Sequence, residues 1–442
     1  MLLSEIARLL GAHCDSNIAI NRVVIDSRQA QINDLFVAFK GANADGHDFA
    51  LAACQKGVAA IIAERPLPAA TVPVFVVENC LKSLTSLAVK NRQAVNPTVL
   101  ALTGSNGKTS VKEMLGLIFP DNSCISKGNF NNHLGVPINL MSLQPSHKYA
   151  VFELGANQIG DIALTAQLVQ PDIALINNIG PAHLGKFGSI DNVAKAKGEI
   201  YDKLKPYGTA IINADDKYAN YWDNKFSTHK VLRFSSTHPA DISASAIREI
   251  NSCYEFRLHY GIAQEHIRLS APGRHQVQNA LAAASMALAA GCDMQMIKRG
   301  LESFTGVAGR LNFKPGINNT TIIDDTYNAN SASFQVALQL LASQPGIKVL
   351  IVGEVAELEQ YAEKEHRLIG QMAKELNIDM VLAVGNFASF AASEFGHGGL
   401  SFNTKEALIA YLHSIITSQF TILVKGSRSS KMEDIVQELI NH

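Results

Sequence analysis

The chain has 442 residues, 47% hydrophobic and 17% charged, with a formal net charge of −1 and a sequence pI near 6.9. That length carries an expectation of about three domains of roughly 150 residues, with apolar material for several cores. The near-neutral balance argues against a broad electrostatic footprint for nucleic acid or an anionic membrane, which would need a pI above about 9, and leaves room for local basic pockets. Six cysteines (14, 54, 80, 124, 253 and 292) are scattered without a C-x-x-C pair. Structural zinc and a disulfide framework are therefore not expected, and a reducing, cytoplasmic setting is. No apolar run reaches the about eighteen residues that a membrane span needs.

The N-terminal stretch reads as an amphipathic helix with Leu2, Leu3, Ile6, Leu9 and Leu10 on one face; Glu5 and Arg8 interrupt it too early for a signal peptide. Short apolar runs at 23–25, 35–39, 59–63 and 74–77 predict a small α/β domain over 1–82. A polar helix over 81–94 leads through Asn96-Pro97 into a strand. Runs at 150–153, 173–176 and 208–212 then alternate with helices, including 276–290. Such alternation implies a mostly parallel sheet covered on both faces, here a central domain over 83–312. Residues 230–270 are expected to add antiparallel strands, and 309–316 to form a joint. Runs at 321–323, 349–352, 380–384 and 421–424 predict a second, Rossmann-like α/β unit over 313–442.

The richest local signal is Val99-Leu-Ala-Leu-Thr-Gly104-Ser-Asn-Gly107-Lys108-Thr109-Ser110. A β-prone run stops at a glycine turn and a Lys-Thr pair opens a helix. That order aims backbone N–H groups, a helix N-terminus and one ammonium at a point where a polyphosphate can sit. The Thr109 hydroxyl is then placed to ligate Mg²⁺. Leu102 occupies the place of the first glycine of G-x-x-x-x-G-K-[ST], so the loop is a shortened variant; the plain rival is a glycine turn between strand and helix. Further clusters are Gly128-Asn-Phe-Asn131-Asn132-His133, Phe152-Glu153-Leu-Gly155 and Asn177-Asn178-Ile-Gly180-Pro-Ala-His183. The latter two follow predicted strands, whose carboxyl ends converge on the ligand crevice of a parallel sheet. Glu153 offers a hard oxygen to Mg²⁺ and His183 a nitrogen; singly they read as a loop charge and a core or capping histidine. Lys195 and Lys197 read as helix-surface charges, Asn213-Ala-Asp-Asp216 as an Asx turn. Arg274, His275 and Asn279 open a small-residue helix, where they reach a ligand or cap it.

Taken in order, Thr103-Gly-Ser-Asn-Gly-Lys-Thr109, Glu153, His183, Ala196-Lys197-Gly-Glu199, Asn213-Ala-Asp-Asp216, Asn279-Ala-Leu-Ala-Ala283 and Gly309-Arg310 resemble the Mur ligases of bacterial cell-wall synthesis over essentially the full length. Residues 41–49, 128–132 and 324–330 resemble the branch that adds D-alanyl-D-alanine to UDP-N-acetylmuramoyl-tripeptide. The resemblance implies three α/β domains: a uridine-nucleotide-binding one, a central phosphate-loop one and a C-terminal Rossmann-like one that closes on ATP and the dipeptide. It implies an ATP-dependent amide ligase working through an acyl phosphate, with two Mg²⁺ ions. It further implies a monomer in the bacterial cytoplasm, with small-molecule partners and no stable membrane insertion.

Residue by residue, the resemblance assigns catalysis to Lys108, Lys197, His183 and Glu153. Thr109 and Glu153 match ligands of the first magnesium; His183 and Lys197 match ligands of the second, the lysine as a carbamate. ATP would meet Gly104, Ser105, Asn106, Gly107, Lys108, Thr109 and Ser110, with Asn279. Arg310 would reach its phosphates and Asp325 its ribose. Ser27, Arg28, Gly46 and His47 match the uridine pocket. Asn131, Asn132, Tyr327, Asn328, Asn330, Lys425 and Arg428 match the peptide side. Ser331 stands where proline commonly follows Asn-Ala-Asn, which leaves that turn less rigid, and Glu359 stands where glycine is usual after Ala356-Glu-Leu358, so that loop's conformation departs from the family's pattern. The rivals are a sister ligase adding a diamino acid, whose Asp-Asn-Pro-Arg is absent here, a folylpolyglutamate synthase, which generally lacks a uridine-binding first domain, and a non-catalytic nucleotide switch. The switch leaves the 128–132, 183 and 325 clusters idle.

Overall fold

Strands of unbroken apolar sequence must be covered on both faces, and three such sets follow one another along the chain. The computed structural model describes residues 1–41, 44–181, 184–250 and 253–440. The first sheet is β1 (Val23–Val24), β2 (Leu35–Val37), β3 (Ala60–Ala63) and β4 (Val74–Val76), parallel and in sequence order. The second holds β5 (Thr98–Thr103), β6 (Ser123–Ile125), β7 (Tyr149–Glu153), β8 (Ile173–Ile176), β9 (Thr209–Asn213), β10 (Lys230–Ser235), β11 (Ile242–Ile250), β12 (Cys253–Tyr260) and β13 (Ala263–Leu269). Their order is β13-β12-β11-β10-β9-β8-β5-β7-β6. The third holds β14 (Asn312–Pro315), β15 (Thr321–Asp325), β16 (Ile347–Val352), β17 (Met380–Val384), β18 (Gly399–Phe402) and β19 (Phe420–Lys425), ordered β14-β15-β19-β16-β17-β18. Among the described residues, no helix is long and apolar enough to cross a membrane.

The chain reaches the central sheet through the helix Cys80–Val95. Asn79 caps its start, accepting from Lys82 N at 2.8 Å, a contact that contributes about 1 kcal/mol. Asn96 ends it in the left-handed conformation with φ 49°, and Pro97 cannot continue it. β5 then lies between β7 and β8, which makes it the switch point of the sheet, and the crevice opens at its carboxyl end. The helix Lys108–Ile118 follows, burying Val111, Met114, Leu115 and Ile118 in one stripe. Each contributes about 1.5–3 kcal/mol by leaving water. The alanine-rich helix His275–Ala289 lies against it, and its small side chains permit close approach.

Several expectations are corrected. β10 pairs in parallel with both β9 and β11; the antiparallel extension begins only at the β11–β12 pair. The first helix, Leu3–Leu9, buries Leu3, Ile6 and Ala7, while Leu2 and Leu9 face solvent. Leu2 precedes the helix, and Leu9 is turned off the stripe that Leu3 and Ile6 share. The expected joint at 309–316 contains β14, an antiparallel edge strand on which Pro315 is tolerated. β6 and β18, short and mixed in polarity, escape the sequence pattern. Glu359, standing for glycine, adopts φ 45°, and Glu357 nearby φ 62°; both hold a backbone region that side chains disfavour.

Candidate active site

β5 ends at Thr103 and the chain turns through 104–107 into the helix Lys108–Ile118. Leu102 is fully buried within β5, so the shortened loop begins two residues later than the longer motif. Gly107 has φ 79°, and a Cβ there would overlap the side chains of Asn177 and Asn279. Only glycine meets both demands. The segment after β8 clamps the turn. Asn178 O accepts from Ser105 N at 3.0 Å, and Asn178 Oδ1 accepts from Asn106 N at 2.8 Å. Asn177 Nδ2 donates to Asn106 O at 2.9 Å. Ser105 Oγ donates to Gly180 O at 3.0 Å and accepts from Gly180 N at 2.9 Å. Side-chain amides therefore hold the loop in shape, beside a helix N-terminus suited to an anion.

Around that turn the sheet delivers its polar ends. Lys108 Nζ donates to Gly104 O at 2.8 Å. Thr109 Oγ1 donates to Glu153 Oε2 at 3.0 Å, and Asn131 Nδ2 to Glu153 Oε1 at 3.0 Å. Arg310 donates to Thr109 Oγ1 at 3.2 Å, and its guanidinium lies 4.2 Å from the centre of the Tyr327 ring. Lys195 and Lys197, two positions apart on the helix Ile190–Asp202, face opposite sides; Lys195 is exposed and Lys197 buried. Burial pushes the Lys108 amine down, Glu153 opposing and Arg310 reinforcing. Burial pushes Lys197 well below the ordinary lysine range, with Lys108 adding to the effect and Glu153 opposing it.

Lys108, Thr109, Asn131, Glu153, Lys197, Arg310 and Tyr327 share one cleft of about 1320 Å³, which Lys112, Asn132, Asn328, Lys314 and Arg428 also line. The cleft thus gathers cations and carboxylates together, Glu113, Asp161, Asp324 and Glu433 among the latter. Lys112 is missed by the sequence reading, although it lies one turn beyond Lys108 on the same helix face. Its side chain is 1% exposed, and Nζ donates to Gly128 O at 3.3 Å. Gln276 is missed too: its Oε1 accepts from Asn279 Nδ2 at 3.0 Å, while Asn279 Oδ1 accepts from Asn177 Nδ2 at 3.0 Å. Ser110 is buried behind the loop. Asn132 Oδ1 is engaged in the turn ahead of the helix Gly135–Met141, accepting from Leu134 N at 3.1 Å and Gly135 N at 2.9 Å. His183 lies outside the described residues.

Other expected residues sit elsewhere or face inward. Lys425 does not line the cleft. Register places it opposite Asp325 across the β15–β19 pair, and the two form a buried ion pair. Lys425 Nζ also donates to Asn328 O at 3.1 Å and lies 5.3 Å from the Phe334 ring centre. Burial lowers the Lys425 pKa, and Asp325 opposes that shift. Asp325→Asn is accordingly expected to destabilise the fold by about 3–5 kcal/mol, because it strands a buried cation. The urea midpoint checks this. His275 faces the same pair; burial pushes it down to about 4, and its Nδ1 has no hydrogen-bond partner.

In the first sheet, the turns Ser27–Gln29 and Gly46–Phe49 follow the neighbouring parallel strands β1 and β2. Arg28 is exposed and paired with Asp26 at 2.7 Å. Gly46 is required because a Cβ would collide with the Phe39 backbone. Both ring nitrogens of His47 are used internally: Nδ1 lies 2.6 Å from Asp45 Oδ1, and Nε2 accepts from Glu64 N at 2.9 Å. His47 therefore shapes this turn and offers a ligand no free ring nitrogen.

Fold and site define a three-sheet α/β protein with a glycine-bearing loop and a helix N-terminus, suited to an anion, at the switch point of its central sheet. Residues 19–101 match the Mur ligase family catalytic domain, 102–287 the Mur ligase middle domain and 309–428 the Mur ligase glutamate ligase domain. The chain belongs to the Mur ligase family. It is similar to the UDP-N-acetylmuramoyl-tripeptide–D-alanyl-D-alanine ligase of Escherichia coli (strain K12), with 42% identity over 99% of this chain and 98% of the relative. Among solved structures it is similar to MurF from Acinetobacter baumannii, with 37% identity, a TM-score of 0.88 and 98% of both chains covered. It is also similar to the MurF ligase of Thermotoga maritima in complex with ADP, with 27% identity, a TM-score of 0.82, and 95% of this chain and 96% of that one covered.

Proposed function

We propose that this chain is an ATP-dependent amide ligase that joins D-alanyl-D-alanine to UDP-N-acetylmuramoyl-tripeptide in the bacterial cytoplasm. The observation that carries the reading is one cleft in which Lys108, Thr109 and Glu153 of the central sheet meet Arg310 and Tyr327. The full-length similarity to tripeptide–D-alanyl-D-alanine ligases selects the substrates. Division at 1–82, 83–312 and 313–442 assigns the UDP-sugar to the first unit, ATP to the second, and closure on ATP and dipeptide to the third.

In the reaction, an oxygen of the tripeptide's terminal carboxylate attacks the γ-phosphorus. The bond to the β,γ-bridging oxygen breaks and ADP leaves. The dipeptide amine then attacks the acyl carbon, the nitrogen releases its proton, and phosphate departs as the amide forms. Carboxylate and γ-phosphate are both anions, so Lys108 and Arg310 neutralise the approach and hold the phosphate in line. The Thr109 hydroxyl and the Glu153 carboxylate are hard oxygen donors 3.0 Å apart, a set suited to Mg²⁺ beside substrate phosphates. When bound there, Mg²⁺ supplies charge neutralisation. Lys197, whose neutral amine is favoured by burial, can add carbon dioxide and release a proton. The resulting carbamate is an anion that, with His183, would hold a second Mg²⁺. Asn131 orients Glu153, and Asn328 and Arg428 face the incoming dipeptide.

Incubation with ATP, Mg²⁺, the UDP-sugar tripeptide and D-alanyl-D-alanine is expected to release phosphate only when both acceptors are present, with the UDP-sugar pentapeptide as product by mass. Phosphate release indifferent to the acceptors would favour a nucleotide switch. A product formed from a diamino acid would favour a sister ligase.

A further inference from the structure

Asn330 ties the phosphate loop to the third sheet's unit. Asn330 is the N-cap of the helix Ser331–Ala342, and its Oδ1 accepts from Ser333 N at 2.8 Å. The same amide reaches across the cleft: Nδ2 donates to Asn106 Oδ1 at 3.1 Å. Asn106 sits within the loop, and its backbone N–H and carbonyl are already held by Asn178 and Asn177. Asn177 in turn donates to Asn279, so hydrogen bonds link the helix Ser331–Ala342 to the helix His275–Ala289 through the side chain and the backbone carbonyl of Asn106. An amide is the side chain that can accept with one arm and donate with the other. Serine caps a helix equally well but has a single oxygen.

A second feature concerns how Asn330 is presented. Ser331 is the first helical position, where proline is favoured because its φ is preset and its missing N–H costs nothing. Here the Ser331 hydroxyl donates instead to the Glu365 carboxylate, on the helix Ala362–Glu375. That contact ties the turn to its own unit and supplies by hydrogen bonding the constraint that a ring would supply covalently. Asn330 is extended, with φ −153° and ψ 166°, a conformation that a following proline accepts.

We propose that Asn330 is a positioning residue whose bridge to Asn106 couples the shape of the phosphate loop to the seating of the third domain, with the Ser331–Glu365 contact holding Asn330 in place. The coupling deepens the nucleotide role proposed above and rests on it. Its consequence is that nucleotide affinity depends on a residue that need not touch nucleotide.

The test titrates a non-hydrolysable ATP analogue, with Mg²⁺, into the full chain and its variants. Asn330→Ser keeps the cap and loses the bridge; Asn106→Ala removes the partner. Each is expected to weaken binding about threefold to tenfold, the range of one net hydrogen bond. The double variant is expected to be no weaker than the weaker-binding single, and the thermal midpoint of Asn330→Ser to match the parent. Glu365→Leu is expected to reproduce the loss, and Ser331→Pro added to it to restore affinity. Single effects that multiply in the double variant, or variants that bind like the parent, overturn the coupling. A parent chain that binds no analogue overturns the nucleotide reading instead.

Discussion

Lys108→Ala is expected to abolish ligation while leaving the thermal midpoint of the chain near that of the parent. Two like unit charges 4 Å apart repel by about 4 kcal/mol at an effective dielectric near 20. Left uncompensated, that repulsion is worth about three decades of rate. In the proposed reaction Lys108 supplies the counter-charge at the loop, and its Nζ, 2.8 Å from Gly104 O, has no carboxylate partner among the described residues that its removal would strand. The helix Lys108–Ile118 is held by its apolar stripe, so the fold does not depend on the ammonium. Phosphate release with both acceptors present, alongside a circular-dichroism melt, measures the two halves of the expectation. Ligation retained within tenfold would remove Lys108 from the phosphate site.

Lys197→Met separates activity from stability in the opposite sense. Loss of about three decades in turnover is expected if the lysine carries the carbamate. In buffer free of carbon dioxide, where the parent carries the bare amine, the folded variant is nonetheless expected to be more stable than the parent at neutral pH. Burial, reinforced by Lys108, holds the Lys197 amine well below its ordinary range, and the side chain has no hydrogen-bond or ion-pair partner among the described residues. The unfolded chain binds that proton up to about pH 10.4. Between the folded and unfolded values the unfolded state therefore carries more protons, and stability rises with pH. Methionine removes this term, so the gain in thermal midpoint at pH 7 should shrink as pH approaches 10. A variant less stable than the parent across that range contradicts the unpaired amine. Labelled bicarbonate giving a carbamate carbon signal in the parent, absent from Lys197→Met, tests the modification directly.

The contrast with Lys425 is instructive. Both lysines are almost fully buried, yet Lys425 faces Asp325 across a strand pair and, among the described residues, Lys197 faces no carboxylate within bonding distance. Removing a partner from the first pair exposes a buried charge to an apolar setting, whereas removing the second relieves one. Lysine at the end of an apolar strand and lysine in an amphipathic helix look alike as letters.

Much of this arrangement was legible beforehand because it depends on local chemistry. The apolar runs became strands of three sheets, since such runs must be buried whatever their partners. The turn from β5 into a helix, with glycine at 107 and lysine at 108, was readable because only glycine takes a left-handed cap beneath two crowding amides. Glu153 was readable because it ends a strand next to β5. Long-range register was not encoded in any window: it turned Lys425 inward onto Asp325, sent β10 parallel to β9, and engaged both ring nitrogens of His47. Nor could any window show that Asn330 and Asn106, 224 positions apart, share a hydrogen bond. Sequence alone determined where the apolar strands form, where the phosphate loop lies and which ligase family the motifs resemble, because hydrophobic period and backbone geometry act over a few residues. Tertiary structure alone decided which charges are paired and which amides hold the loop. Those outcomes depend on what distant strands bring within about 3 Å, the range over which a hydrogen bond forms.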